Sequence, residues 1–93
     1  MDISTVLELV KAGLGISTTV RDAYLLAIIE GVIKELEDEK GITLDESNAN
    51  HLMFAVDYSK WRYQSHNESG AMPRHLQFRL HNIMVHNGGG SIV

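Results

Sequence analysis

Leu25, Ile28, Ile29, Val32, Ile33 and Leu36 recur at intervals of three and four residues, the period that gathers apolar side chains on one face of an α-helix. Nowhere do β-branched residues alternate with polar ones over a useful length, and proline occurs once, at Pro73. Helix is therefore the expected state along the chain, and the expected fold class is all-α, a small bundle of four helices.

The helix boundaries follow from capping chemistry. Asp2 can cap a first helix through about Ala12, with Ile3, Val6, Leu7 and Val10 as its apolar face, before Gly13-Leu14-Gly15 stops it. Ser17, Thr18 and Thr19 offer cap oxygens to a second helix, which runs to about Lys40 and ends at Gly41. Glu35, Glu37, Asp38 and Glu39 crowd the C-terminal end of that helix, where negative charge opposes the macrodipole by ~0.3–1 kcal/mol each at low salt. Lys34 and Lys40 relieve this only locally, so compensation from outside the helix is expected.

Thr43 to Ser47 reads as a turn into a third helix capped by Asp45 or Ser47, with Leu52, Phe54, Ala55, Val56, Tyr58 and Trp61 supplying its core. The helix fades near Ser65, and Asn67-Glu68-Ser69-Gly70 forms a short polar loop. Pro73 suits the first position of a fourth helix whose Leu76, Leu80, Ile83 and Met84 point inward and which ends at Asn87-Gly88-Gly89-Gly90. Residues 1–87 thus read as one helical domain, and residues 88–93 as a flexible Gly-rich tail ending in Ile92 and Val93.

A chain of 93 residues fits one core and buries only about 60–65% of its unfolded surface, which makes partner surfaces energetically welcome. Without cysteine there are no disulfides, thiolate zinc sites or cysteine nucleophiles. The longest apolar run, Tyr24 to Ile29, is far short of the ~20 residues of a membrane span, and Met1-Asp2 opens without a basic n-region. A soluble protein without membrane contact or signal peptide is expected.

Charge is unevenly placed. Residues 1–46 carry ten acids and four bases, residues 47–93 two acids and four bases, and all five histidines lie in the second half. A dipolar subunit suits head-to-tail contact. The expected interface joins the acidic end of the second helix (Glu35, Glu37, Asp38) to a basic surface on the third and fourth (Lys60, Arg62, Arg74, Arg79), with Ile92 and Val93 as apolar anchors that fold on binding.

No catalytic, cofactor-binding or metal-binding residues are assigned. No histidine has a second His, Asp or Glu three or four residues away in its own helix, and no G-x-S-x-G elbow accompanies the serines. Gly13-Leu14-Gly15 and Gly88-Gly89-Gly90 lack the strand, helix and lysine of a phosphate cradle. Consecutive acids at 37–39 point in different directions on a helix and do not converge on a cation. His75 and His81 are the two histidines whose placement leaves a general-base role open.

Residues 9–21 loosely match a helix-turn-helix with glycine in the turn, which makes a small DNA-binding regulator the alternative reading. Its recognition helix would carry Arg21 and Lys34 against the acids from Glu35 to Glu39, a poor balance for approaching phosphates.

Arg21-Asp22-Ala23-Tyr24, the run from Val32 to Ile42, Asp57-Tyr58 to Tyr63, and above all the run from Gly70 to Asn82 resemble the head-tail connector proteins of tailed phages and prophages of Gram-positive bacteria. The resemblance spans about residues 3–86. It implies a structural adaptor without catalysis or cofactor, assembled in the bacterial cytoplasm and located at the head-tail interface of the virion. It further implies a ring of copies beneath the portal that contacts the portal protein and a downstream tail-completion or stopper protein; the head-to-tail reading of the charges is compatible with a monomeric isolated subunit. DNA would pass through such a ring without sequence-specific contact. The tail beyond Asn87 is short for the extended arm with which some members grip the portal.

Overall fold

A computed structural model describes residues 1–65 and 72–86, and these form a bundle of four helices with no strand among the described residues. They are α1 (Ile3–Leu14), α2 (Asp22–Lys34, continued by a π-helical turn over Glu35–Glu39), α3 (Ala49–Gln64) and α4 (Arg74–His86). The expected all-α class is present. The tail at 88–93, with Ile92 and Val93, lies outside the described residues, as does the expected polar loop at 67–70.

α1 starts at its expected cap and continues through Gly13 and Leu14, two residues past Ala12, to stop at Gly15. Asp2 caps it, its side chain accepting the Ser4 N–H at 3.2 Å and the Thr5 hydroxyl at 2.9 Å. At the other end Gly15 adopts φ 73°, and a Schellman pair closes the helix: Gly15 N–H donates to the Ala12 carbonyl at 3.3 Å and Ile16 N–H to the Lys11 carbonyl at 2.9 Å. The Asp2 backbone N–H also donates to the Glu46 carboxylate, which ties the start of α1 to the segment before α3.

The start of α2 departs from expectation. Ser17, Thr18 and Thr19 do not cap it; the helix begins at Asp22, after Arg21, without a side-chain cap bond. A backbone turn takes that role, with Asp22 N–H donating to the Thr19 carbonyl at 3.2 Å, while the Asp22 carboxylate lies 2.8 Å from Lys11 Nζ and joins α2 to α1. An acid in the first turn also favours the helix dipole.

The other end of α2 holds a wider turn than expected. Lys40 N–H reaches back to the Glu35 carbonyl at 3.1 Å and Ile42 N–H to the Leu36 carbonyl at 3.0 Å, with Gly41 at φ 67° making the reversal. Leu36 is fully buried, while Glu37, Asp38 and Glu39 are exposed. Ile42 and Leu44 then return to the core.

The cap of α3 is Asn48, not Asp45 or Ser47. Its side-chain oxygen accepts the Asn50 N–H at 2.9 Å and the His51 N–H at 3.4 Å. Asp45 instead closes a local turn by accepting both the N–H and the hydroxyl of Ser47, at 3.0 and 2.7 Å. Buried His51 holds the same loop from the other side, its Nδ1 accepting the Asp45 N–H at 3.0 Å. Pro73 stands one residue before α4, where its carbonyl accepts from Leu76 and Gln77, each at 3.0 Å.

α3 is the central helix and packs against α1, α2 and α4. α4 packs on α3 and on no other helix among the described residues. Val6 and Val10 of α1, Leu25, Ile29 and Val32 of α2, Phe54 and Tyr58 of α3, and Leu76 of α4 make one continuous core. Leu52, Trp61 and Met84 are half-buried at its edge, less enclosed than the sequence pattern indicated.

Ser59, on the core side of α3, is 1% exposed and its hydroxyl has no hydrogen-bond partner. A buried hydroxyl without a partner is destabilising, and alanine is the better helix former. Ser59→Ala is therefore expected to raise the free energy of unfolding by roughly 1 kcal/mol, read by urea denaturation; an unchanged or lower value would mean the hydroxyl is satisfied in solution.

Candidate functional site

Of the residues expected to pair across a subunit contact, Glu35, Arg62 and Arg79 form ion pairs within the chain. Glu35 begins the π-helical turn, and Tyr58 and Arg62 stand one helical turn apart on α3. Arg62 Nη2 donates to Glu35 Oε1 and to the Tyr58 hydroxyl oxygen, both at 2.7 Å, while the Tyr58 hydroxyl donates to Glu35 Oε2, also at 2.7 Å. The guanidinium carbon lies 4.8 Å from the Tyr58 ring centre, within cation–π range. This is the compensation that the acidic helix end required.

The electrostatics of this cluster follow from partial burial. Burial pushes the Glu35 carboxyl up, but hydrogen bonds from Arg62 and Tyr58, together with the Arg62 and Lys40 charges, outweigh it and leave the carboxyl below its ordinary value. Tyr58 is pushed up to about 12, first by burial and then by its hydrogen bond to the Glu35 carboxylate. Neither group is poised to exchange protons near neutral pH.

Arg79 is engaged in the same manner. Its Nη1 donates to Asp57 Oδ2 at 2.8 Å, and its guanidinium carbon lies 5.5 Å from the Phe54 ring centre, so it clamps α4 to α3. Lys60 is half-buried and lies over Gly13, so closely that a side-chain carbon at that position would come within 2.9 Å of Lys60 Nζ. Of the four bases expected on one surface, Arg62 and Arg79 are paired within the chain with side chains 35% and 36% exposed, Lys60 is half-buried over Gly13, and Arg74 is exposed. The physical reason is helix packing: the antiparallel arrangement of α3 and α4 faces Asp57 with Arg79, and the end of α2 faces Arg62.

On the acidic side Glu37 and Asp38 remain exposed; the Asp38 carboxylate lies 4.0 Å from Lys34 Nζ one turn earlier. Such an exposed pair is worth little.

The surface carries another set of residues that reading for charge passed over. Phe78 is 66% exposed on α4, Val85 41% on the same helix, and Val20 86% in the turn leading into α2. Tyr24, on the first turn of α2, is half exposed beside Tyr63, with ring centres 6.0 Å apart, and Arg21 donates to the Tyr63 hydroxyl. Phe78 was legible from the helical wheel, since it lies opposite the Leu76–Leu80–Ile83 face.

A cleft of about 430 Å³ opens between the start of α3 and α4, lined by Asn48, Asn50, His51, Arg79, Asn82 and Ile83. Three of its polar side chains are already engaged: Asn48 caps α3, Arg79 holds Asp57, and His51 Nδ1 accepts from the Asp45 backbone. His75 and His81 are exposed on α4. Among the described residues no group of three or more His, Asp or Glu side chains could hold a metal ion, and no helix is long and apolar enough to cross a membrane. The helix-turn-helix reading meets a longer connection than it needs, since residues 15–21 separate α1 from α2 where that motif uses roughly three to four residues.

Comparison with protein-family models, curated proteins and solved structures finds no match.

The Glu35 cluster makes stability depend on pH with a defined sign. A carboxyl lowered in the folded chain contributes stability above its ordinary value of 4.5, and loses that contribution as pH falls through the lower folded value. Arg62→Met is expected to cost roughly 1–3 kcal/mol at pH 7. That cost should shrink toward pH 3, where protonation weakens the wild-type pair as well. Urea titrations at both pH values check this; a difference independent of pH would remove the ion pair as its cause.

Proposed function

We propose that this protein is a structural adaptor of the phage head-tail connector type: a small helical subunit that assembles with copies of itself beneath a portal and joins capsid to tail around the DNA channel. The observation that carries this reading concerns α4. The run most similar to the connector proteins, residues 70–82, includes the first nine residues of that helix, which packs on α3 by one face and turns Phe78, Val85 and Arg74 away from the core. A large exposed aromatic next to arginine is the composition favoured at protein interfaces and disfavoured on a surface that meets only water.

The role asks little of the chain chemically. It needs a stable spacer with surfaces for neighbours, and the strongest polar contacts here brace one helix against another. The partners under this reading are further copies of the chain, a portal protein, and a tail-completion protein on the opposite side. Location in the virion and assembly in the bacterial cytoplasm follow from the same reading, as does a non-enzymatic role.

The test is reconstitution. Mixed with its portal and viewed by electron microscopy, the protein is expected to add a ring of density beneath the portal. Glu37→Lys combined with Asp38→Lys, both exposed and outside the Glu35 cluster, is expected to weaken ring formation at low salt by no more than about tenfold, because charge guides orientation more than affinity. Tight, salt-sensitive binding to one duplex sequence and no portal density would replace the adaptor with a DNA-binding regulator.

A further inference from the structure

Two outward stripes lie on different helices of this chain. On α4, Arg74, Phe78, His81 and Val85 are spaced by four, three and four residues, so they share the face opposite Leu76, Leu80 and Ile83, and all four are exposed. On the α2 side, Val20, Tyr24, Ala27 and Gly31 are exposed at the same kind of spacing, with exposed Glu30 beside Gly31. The first stripe has a protruding Phe78 at its middle and a cation at one end; the second has an alanine at its middle and an anion at one end.

The spacings agree when the stripes are laid antiparallel. With Phe78 over Ala27, His81 falls opposite Tyr24 and Arg74 opposite Gly31 with Glu30 alongside, because both helices rise by the same ~1.5 Å per residue; Val85 reaches past Asp22, the first residue of α2, toward the turn that carries Val20. Phe78 meets the small Ala27, His81 meets Tyr24, and Arg74 meets Gly31 with Glu30 beside it, where the Arg62 guanidinium stands 3.9 Å from the place of a side-chain carbon on Gly31. Lys34 lies beyond this overlap, next to Asp38.

We infer that α4 of one copy docks antiparallel on α2 of a second copy through these stripes. The inference rests on the assembly role above and deepens it by naming the contact. The occupant is a second copy because this chain carries both halves of the match, including opposite charges at corresponding ends. The two faces differ, so the contact is heterologous: a bound pair keeps one stripe of each kind free, one on each copy, and further copies add in the same direction. Phe78 is the anchor and the Arg74–Glu30 pair sets direction.

The chain has no cysteine, so each introduced thiol is unique. Val20→Cys and Val85→Cys each replace an exposed residue. With a short bifunctional thiol reagent, an equal mixture of the two variants is expected to form cross-linked heterodimers about tenfold faster than either variant alone forms homodimers, and the double variant to form a ladder of higher species. No heterodimer at the highest soluble concentration, or Val85→Cys homodimers in excess, would overturn the inference. Phe78→Asp in the mixed pair is expected to lower the cross-linked yield about tenfold with an unchanged thermal melt by circular dichroism; an unchanged yield would also overturn it. Rings that form under the portal without this cross-link would leave the adaptor role standing and move the contact elsewhere. Failure of both would remove the adaptor role as well.

Discussion

The contact of Glu35 with Tyr58 and Arg62 determines how α2 ends and how α3 lies against it. Four acids at a helix C-terminus repel one another and oppose the dipole, so a continued α-helix would present Glu39 or Lys40 to the side that buries Leu36. The π-helical turn avoids this. It keeps Leu36 in the core, leaves Glu37, Asp38 and Glu39 in water, and with Gly41 in a left-handed conformation returns Ile42 and Leu44 to the interior. Only Glu35 of the four acids faces α3, and there a guanidinium and a hydroxyl receive it. The Glu35 cluster thus braces the end of α2 on α3 at the edge of a contact whose centre is the apolar core.

Local chemistry was legible in the sequence and long-range pairing was not. Asp2 and Gly15 mark the ends of α1 because a cap is decided within four or five residues. At the start of α3 the cap is Asn48 instead of Asp45 or Ser47, because the Asp45 carboxylate is taken up by the N–H and hydroxyl of Ser47. At the start of α2, Ser17, Thr18 and Thr19 misled because a backbone turn does the work of a side-chain cap there. The charge asymmetry between halves is real, but Glu35 and Arg62 are separated by 27 residues, and Asp57 and Arg79 by 22, so no local rule places them together.

That pairing changes which forces can direct assembly. Lys11, Arg62 and Arg79 hold Asp22, Glu35 and Asp57, so three of the chain's eight bases act inside the fold. A contact built on the remaining charges would be weak and strongly screened by salt. Exposed apolar side chains are not screened, and Phe78, Val85, Val20 and Tyr24 supply that kind of surface on two separate elements.

The distribution of size and sign over these two faces also selects between modes of association. If α4 met its own copy antiparallel about Phe78, two phenylalanines would compete for one space and each Arg74 would lie near Asn82 with no acid opposite. If α2 met its own copy about Ala27, the small residues would leave a gap between the helices, and the Glu30 carboxylates would gain no arginine. The proposed mixed pairing instead sets Phe78 against Ala27 and Arg74 beside Glu30. Under the proposed contact, one-directional addition is favoured over closed two-fold dimers, and it ends in a ring where the rotation per copy closes and in a filament where it does not.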